Sequence, residues 1–264
     1  MKPILKWAGG KTALLDEIKK RMPEAYGTYF EPFVGGGAVF LNISNGYSVI
    51  NDINQELINC YIQVRDHLEE LFVILDDLQL QHSEEKYYEL RSEFNLRKAE
   101  GKLELYDAAL MIYLNRAGFN GMYRENSAGN FNIPSAKKRN VILYEEENFR
   151  EVSRKLRNAE ILNGDFEAAV EEAKEGDFVY FDSPYDETFD DYQKGGFPRS
   201  EHKRLYDLCE TLTDKNVFFM LSSSDSSFIK DLYKNYSIDE VQIQRMIGLK
   251  RSRKTEIELI IRNY

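Results

Sequence analysis

The strongest fold signal in this 264-residue chain is Gly176-Asp177-Phe178-Val179-Tyr180-Phe181-Asp182-Ser183-Pro184-Tyr185. Phe178 to Phe181 form an unbroken apolar run, which is typical of a strand buried on both faces of a parallel sheet. The run ends at Asp182, and Pro184 cannot continue a hydrogen-bonded ladder. Because ligands of open α/β sheets bind at the carboxyl ends of strands, this strand would deliver a carboxylate, a carbonyl and an aromatic ring to a substrate. The alternative interpretation is an acidic turn covered by a tyrosine.

Strands and helices alternate through most of the chain, which predicts an α/β fold with a largely parallel sheet covered on both faces. Further strands are predicted at the start of 29–42 and at 47–54, 160–165, 216–222, 237–243 and 256–262, and helices at 14–22, 166–174, 200–213 and 226–233. Apolar residues recur at helical spacing from residue 55 to 117 without a strand pattern, which predicts a helical insertion. The chain is therefore divided into a catalytic part at 1–54, an insertion at 55–140 and a second catalytic part at 141–264.

A predicted strand, turn and helix near the N-terminus carry Gly35 and Gly37 in the turn. A dinucleotide fingerprint needs a third glycine at position 40, where this chain has Phe40, so NAD is disfavoured. Asp52 ends the next strand, about twenty residues past the first, where a carboxylate meets ribose hydroxyls. Ile53 beside it would cover an adenine ring. A nucleoside cofactor without phosphates fits this pattern, and S-adenosylmethionine is such a cofactor.

The segment Lys6-Trp7-Ala8-Gly9-Gly10-Lys11 opens the chain, and its glycines permit close approach of backbone to a ligand. Trp7 either packs in the core or lines a cofactor pocket, with Lys11 reaching a carboxylate.

Residues 115–134 are rich in Gly and Asn and are predicted to form a hairpin or an extended loop. The segment combines arginine, asparagine, aromatic and methionine side chains, which are the groups that read base edges or wedge between bases. An ordinary surface hairpin is the alternative.

The net charge of −10, from 35 basic and 45 acidic residues, argues mildly against a nucleic-acid partner. Phosphate contact depends on local patches, however, and there are two basic clusters: Lys137-Lys138-Arg139, and Arg245 with Lys250, Arg251, Arg253 and Lys254. Residues 192–197 are interpreted as a flexible loop beside the proposed site.

Cys60 and Cys209 lie in helical apolar patterns and are predicted to be buried, reduced thiols. The three histidines lack ligand spacing, so no metal site is predicted. No membrane span or signal peptide is apparent, which predicts a cytoplasmic protein without a membrane partner.

Taken in this order, the motifs resemble those of Dam-type DNA adenine-N6 methyltransferases, the D12 class of the alpha group. The resemblance rests on residues 6–11, Glu31-Pro32-Phe33-Val34-Gly35-Gly36-Gly37, Asn51-Asp52-Ile53-Asn54, 115–134, 182–185 and the closing Asn263-Tyr264. It implies a seven-stranded, mostly parallel, Rossmann-like sheet that uses S-adenosylmethionine and needs no metal. It also implies a helical target-recognition insertion whose loop 118–134 reads duplex DNA.

The resemblance implies a role for each matching position. The residues expected to contact the cofactor are Trp7, Ala8, Gly9, Lys11, Phe33, Gly35, Gly37, Asp52, Ile53, Asp165, Phe166 and Asp182. Those expected to contact DNA are Lys6, Arg116, Phe119, Asn120, Met122, Arg124, Asn132, Pro134, Lys137, Lys138 and Arg139. Those expected to carry the catalytic step are Asp182, Ser183, Pro184 and Tyr185.

Two positions depart from the family pattern. The family motif at 182–185 has two prolines, and the first is Ser183 here. Ser135-Ala136 stands where GATC-specific relatives usually carry Phe-Gly, although GATC remains the expected target.

Three functions remain open at this point. The first is methylation of adenine N6 in duplex DNA. In this function the Asp182 carboxylate and the Ser183 carbonyl bind both amino hydrogens of a flipped-out adenine, which stacks on Tyr185. The second is a catalytically weak DNA-binding relative in which Ser183 marks decay, and the third is an amino-methyltransferase for RNA or a protein glutamine. The first implies a bacterial or phage enzyme that works at the nucleoid, with a cognate restriction endonuclease as a functional rather than a contacting partner.

Overall fold

The computed structural model describes residues 1–185, 197–247 and 252–264, and its centre is a seven-stranded sheet. The strands are β1 (Tyr29–Glu31), β2 (Ser48–Asp52), β3 (Ala159–Asn163), β4 (Phe178–Phe181), β5 (Phe218–Ser224), β6 (Ser237–Ile247) and β7 (Ser252–Arg262). Their order in the sheet is β3-β2-β1-β4-β5-β7-β6. Strands β1 to β5 are parallel to one another, and β7 runs antiparallel between β5 and β6. This arrangement confirms the predicted fold class.

The helices cover the sheet and form the insertion. They are α1 (Leu15–Arg21), α2 (Ala38–Ile43), α3 (Gln55–Asp66), α4 (Leu68–Leu80), α5 (Glu84–Ala99), α6 (Leu105–Ala117), α7 (Glu146–Leu156), α8 (Arg199–Asp214) and α9 (Ser227–Leu232). Helices α3 to α6 make up the predicted helical insertion, and α6 packs against the other three. All but three residues of α6 are fully buried, so it forms the centre of this unit.

Two hydrophobic clusters lie on opposite faces of the sheet. One joins the apolar side chains of the insertion to those on one sheet face, for example Leu110 with Ile50 and Tyr180. The other packs α8 and α9 on the opposite face, around Phe181 and Phe219. Because the insertion shares this core with the sheet, it is packed against one face of the sheet.

Strands β1 and β4 are neighbours, although more than 140 residues separate them in sequence. Strands β2 and β3 lie on one side of β1, in the order in which they follow it along the chain. Strand β5 lies on the opposite side, next to β4. The sheet order therefore reverses between β1 and β4, which makes their carboxyl ends the topological switch point where α/β proteins bind ligands.

The prediction of a helix at 166–174 is wrong, because the segment forms only a one-turn 3-10 helix at Ala168–Val170. The Asp165 carboxylate accepts the backbone N–H of Glu167 at 2.9 Å, which favours a tight turn over a longer helix. Segment 118–134 has a one-turn 3-10 helix at Phe119–Gly121 and two isolated antiparallel bridges, Gly118 to Ser135 and Glu125 to Phe131, instead of a regular hairpin.

The two buried thiols are confirmed, since Cys60 and Cys209 are fully buried and free. Most of the predicted flexible loop, residues 192–196, lies outside the described residues, as do Lys250 and Arg251 of the second basic cluster. No helix in the described part of the chain is long and apolar enough to span a membrane.

Candidate active site

An ion pair between Lys11 and Asp182 lies at the carboxyl end of β4. Lys11 Nζ is 2.6 Å from Asp182 Oδ1, with 3 % of the lysine side chain and 18 % of the aspartate side chain exposed. Lys11 Nζ also donates to the Gly9 carbonyl at 2.9 Å, and a 3-10 helix begins at the next residue, Thr12. The opening segment therefore places a buried ammonium group directly against the strand-end carboxylate.

The residues that follow Asp182 are packed into the same site. Ser183 is 3 % exposed, and the Tyr185 hydroxyl donates to Glu258 Oε2 at 2.7 Å. Lys11 Nζ lies 4.8 Å from the centre of the Tyr185 ring, which is within the range of a cation–π contact. The tyrosine ring is thus in contact with charged groups at both its face and its hydroxyl.

A short hydrogen-bonded chain supports Asp182 from β5. Ser222 Oγ donates to Asp182 Oδ1 at 3.2 Å and lies 2.8 Å from the Tyr180 hydroxyl. Burial raises the pKa of the Asp182 carboxyl, while the Lys11 ammonium and the Ser222 hydroxyl act to lower it. Lys11 is therefore the group that favours an ionised Asp182 in this buried position.

Glu31, at the end of the neighbouring strand β1, is a second buried acid. It is 2 % exposed and accepts a hydrogen bond from the Tyr29 hydroxyl at 2.6 Å. Burial raises the pKa of Glu31 well above its usual range, and the charge of Asp182 adds to this effect. Both effects favour the protonated form of Glu31, which avoids placing two negative charges at the adjacent ends of β1 and β4.

Asp52 at the end of β2 holds the glycine turn. Its two oxygens accept the backbone N–H groups of Gly35 at 3.0 Å and Asn54 at 2.9 Å. Burial raises the pKa of Asp52 to about 6. Ile53 beside it is 66 % exposed, so its side chain is available to a ligand.

The glycine turn is shaped by close contacts that a side chain would disturb. Gly37 has φ +73°, and a Cβ there would lie 2.9 Å from the Tyr61 hydroxyl, which donates to the Gly35 carbonyl at 2.7 Å. Gly35 has φ +46°, and a Cβ there would lie 3.0 Å from Trp7 Cδ1. The tryptophan of the opening segment therefore packs directly on the glycine turn.

These residues fit a nucleoside cofactor. Asp52 offers a buried carboxylate whose remaining acceptor capacity suits ribose hydroxyls, and exposed Ile53 offers an apolar surface next to it. The ring of Phe33 stacks on Phe166 at 5.3 Å between ring centres. Asp165 is 47 % exposed in its side chain and is ion-paired with Arg204.

Asn115 joins the opening segment to the predicted recognition loop, residues 118–134. Its amide accepts the Lys6 N–H at 2.9 Å and donates to the carbonyls of Lys6 at 2.9 Å and Gly121 at 3.0 Å. Tyr123 stacks on Trp7 with 5.1 Å between ring centres and 24° between planes. The predicted recognition loop and the opening segment are therefore in contact through a pair of aromatic rings.

The residues expected to read DNA differ in how they are held. Arg124 Nε donates to Asn132 Oδ1 at 2.9 Å, which orients the guanidinium group. Phe119, Asn120 and Pro134 are exposed, Met122 is partly buried, and Asn120 has the left-handed φ of 57°. Lys6 is also exposed.

Other predicted DNA contacts are engaged within the chain. Arg116 Nη2 donates to the Ile4 carbonyl at 2.8 Å, and Lys138 Nζ donates to the Arg116 carbonyl at 2.8 Å. Lys137 Nζ is 3.4 Å from Glu84 Oε1, and Arg139 is exposed. The assignments of these residues to DNA contact stay predictions.

Three residues of the site were not among those predicted from the sequence. They are Glu258, which binds Tyr185, and Tyr180 and Ser222, which support Asp182. Glu258 had a detectable signal, since it is an acid within the apolar run 257–261. Within the described residues, no group of three or more His, Cys, Asp or Glu side chains could hold a metal ion.

The reversal of strand order, the glycine turn and the strand-end acids Asp52 and Asp182 are typical of a Rossmann-like fold that binds a nucleoside cofactor. Residues 7–247 match the model of the D12 class N6 adenine-specific DNA methyltransferases. The chain is 42 % identical to the type II methyltransferase M1.LlaDCHI of Lactococcus lactis subsp. cremoris, over 100 % of this chain and 96 % of that protein. It is 36 % identical to the type II methyltransferase M.MjaIII of Methanocaldococcus jannaschii, over 100 % and 99 % of the two chains.

A third relative is the DNA adenine methylase of Escherichia coli strain K12, which is 30 % identical over 99 % of this chain and 94 % of that protein. The chain belongs to the D12 class of N6 adenine-specific DNA methyltransferases. It is thus an adenine-specific DNA methyltransferase, and the family and fold imply that it uses S-adenosylmethionine.

Proposed function

We propose that this enzyme methylates N6 of an adenine that is turned out of duplex DNA, within the sequence GATC, and that Asp182 and Ser183 hold the reacting amino group. The observation that carries the proposal is the 2.6 Å ion pair between Lys11 and Asp182 at the carboxyl end of β4, directly before buried Ser183. That position is the switch point of the sheet, where a substrate is expected.

S-adenosylmethionine supplies an electrophilic methyl group on a positively charged sulfur. The side chains proposed to hold it are Asp52, for the ribose hydroxyls, Ile53, for the adenine ring, and Trp7, which packs on the glycine turn. The residues that complete the proposed cofactor site are Ala8, Gly9, Lys11, Phe33, Gly35, Gly37, Asp165, Phe166 and Asp182. The buried Asp52 carboxylate also offers negative charge near a cationic ligand.

The adenine amino nitrogen is a poor nucleophile because its lone pair is delocalised into the ring. Two acceptors are needed for its two hydrogens, and the Asp182 carboxylate and the Ser183 carbonyl provide them. Binding both hydrogens localises the lone pair and stabilises the positive charge that develops on nitrogen. Lys11 contributes by favouring the ionised form of Asp182, since a protonated carboxyl would lose acceptor capacity.

The N6 group is not accessible to the enzyme inside a base-paired duplex, so the adenine must leave the stack. Tyr185 presents an aromatic ring immediately after the acceptors and is proposed to stack on the extruded base. The exposed Phe119 side chain, 39 % accessible at the start of the recognition loop, is proposed to fill the space left in the duplex.

The proposed target sequence rests on the family resemblance, and the recognition loop supplies side chains for it. Arg124, oriented by Asn132, is proposed to bind a guanine through a bidentate contact. Lys6, Asn120 and Met122 are proposed to contact the target site, and Arg116, Pro134, Lys137, Lys138 and Arg139 to border the duplex.

Single-molecule sequencing of plasmid DNA treated with the enzyme and S-adenosylmethionine tests this proposal directly. N6-methyladenine in every GATC and nowhere else is the expected result. Methylation in another context would refute the target sequence alone, whereas absence of any methylated base would favour the catalytically weak relative. Because two relatives are named type II methyltransferases, we also propose a cognate endonuclease, and methylated plasmid should resist that enzyme.

A further inference from the structure

Glu258 is a buried acid in the antiparallel part of the sheet. It is 2 % exposed, and the residues that follow it, Leu259, Ile260 and Ile261, are completely buried. Its backbone pairs with Ser224 of β5 on one side and Val241 of β6 on the other. Burying a carboxylate in the interior of a sheet is costly, so stability alone does not account for this residue.

The Glu258 carboxylate points toward the site at the end of β4. Its Oε2 accepts the Tyr185 hydroxyl at 2.7 Å, across 73 residues of sequence. Its charge also acts on Asp182, whose pKa it helps to raise. A residue on β7 thereby reaches the substrate site, although β7 lies two strands away from β4.

The Glu258 carboxylate holds the Tyr185 ring at its hydroxyl end. Tyr185 follows the end of β4 by four residues, and its side chain is half-buried. Lys11 lies against the ring face at 4.8 Å, but that ammonium is paired with Asp182. The hydroxyl bond to Glu258 adds a second point of attachment and fixes the direction of the ring.

We propose that Glu258 is a positioning residue for methyl transfer, which fixes the Tyr185 ring in the orientation that receives the target adenine. This inference rests on the proposed function, in which Tyr185 stacks on the base. A hydrogen bond to a carboxylate restricts the ring to one orientation before the base arrives, so less order must be imposed during the reaction.

The experiment compares steady-state methylation of a duplex by the full-length protein and four variants. Glu258→Ala is expected to lower kcat by about ten- to a hundredfold, the range for loss of one charge-assisted hydrogen bond. Glu258→Gln keeps an acceptor for the hydroxyl and should recover most of that loss. Tyr185→Phe should lose a similar factor, and Glu258→Ala added to Tyr185→Phe should cost no further activity.

Glu240 provides the matched control. It lies on β6, its backbone pairs with Leu259 next to Glu258, and its carboxylate binds Lys230 at 2.6 Å on the surface. Glu240→Ala should have wild-type kcat and thermal stability. Calorimetry with S-adenosylhomocysteine should give unchanged cofactor affinity for Glu258→Gln, Glu258→Ala and Tyr185→Phe.

Three results would overturn the inference while leaving the proposed function intact. They are wild-type turnover by Glu258→Ala, equal losses by Glu258→Gln and Glu258→Ala, and additive losses in the double variant. If Glu258→Ala does not fold, the comparison of Glu258→Gln with Tyr185→Phe still decides, since neither removes side-chain volume from the sheet. An inactive wild-type protein would instead refute the proposed function, and this inference with it.

Discussion

Protonation of Asp52 should control cofactor affinity in the mildly acidic range. Burial raises the pKa of this carboxyl to about 6 in the free protein. Ribose hydroxyls donate to a carboxylate, so the cofactor should bind the ionised form and lower the pKa of Asp52 further. Binding should therefore be strongest above pH 6 and should weaken as the pH falls through that value.

The size of the effect follows from the pKa. At pH 5, one unit below the Asp52 pKa of about 6, roughly one carboxyl in ten is ionised. The dissociation constant of S-adenosylhomocysteine should then be about tenfold higher at pH 5 than at pH 8, or about 1.4 kcal/mol. Asp52→Asn should bind about ten- to a hundredfold more weakly at pH 8 and should lose most of this pH dependence.

The ionisation of Asp52 should also affect folding stability. Stability should fall as the pH rises, whereas cofactor affinity should increase. The pKa of Asp52 is raised from 3.8 to about 6, so its contribution to stability is complete below pH 4 and is lost as the pH rises through 6. The difference of about two units corresponds to roughly 3 kcal/mol as an upper limit. The free energy of unfolding of the cofactor-free protein should thus fall from pH 4 to pH 7, and less so in Asp52→Asn.

Isothermal titration calorimetry from pH 5 to 8 and denaturant unfolding from pH 4 to 7 measure the two trends. Asp66→Asn is the control, because Asp66 is an exposed acid outside the proposed cofactor site and its hydrogen-bonded ion pair with Arg65 lowers its pKa. That variant should keep the wild-type dependence of binding on pH. A flat binding profile in the wild type, or an equal slope in Asp52→Asn, would refute the ribose assignment.

Three further results are expected. Asp182→Ala should lower turnover by at least about a hundredfold while DNA binding persists, because one acceptor is left for two amino hydrogens. Near-normal turnover in this variant would place the chemistry elsewhere. Arg124→Ala should relax specificity at one guanine by roughly 1–3 kcal/mol over a panel of single-base DNA variants. Arg139→Ala should instead weaken binding to all sequences and reduce the salt dependence of binding. Uniform losses of affinity in both variants would make Arg124 a phosphate contact. Ser183→Pro should raise the methylation rate only about two- to tenfold, because the proline ring restricts backbone freedom without changing the carbonyl. If the wild type is inactive and Ser183→Pro raises the rate by many orders of magnitude, Ser183 is the residue that inactivates the enzyme.

The sequence was most informative where a local pattern has one physical solution. An apolar run that ends in an acid, as at Asp182, predicts a buried strand and a strand-end carboxylate, and the structure has both. The same holds for the strand before Asp52, where all five residues of β2 are buried. Parallel strands bring their ends to one edge of the sheet, so the position of the site followed from the order of elements.

Contacts between distant segments were not available from local patterns. Glu258 meets Tyr185 only because β7 inserts between β5 and β6, and alternation along a strand does not reveal that sheet order. The basic cluster at 137–139 shows the same limit. Composition suggested three free cations, whereas Lys138 donates to a backbone carbonyl and Lys137 lies beside Glu84.

The stacking of Trp7 on Tyr123 gives the protein an intrinsic optical reporter. Trp7 is the only tryptophan of the chain, so its fluorescence arises from one place. That place touches the glycine turn on one side and the ring of Tyr123, between the base-reading candidates Met122 and Arg124, on the other. Emission from the unlabelled enzyme should therefore follow cofactor and DNA binding in real time, and rapid mixing can establish the order in which the two ligands arrive.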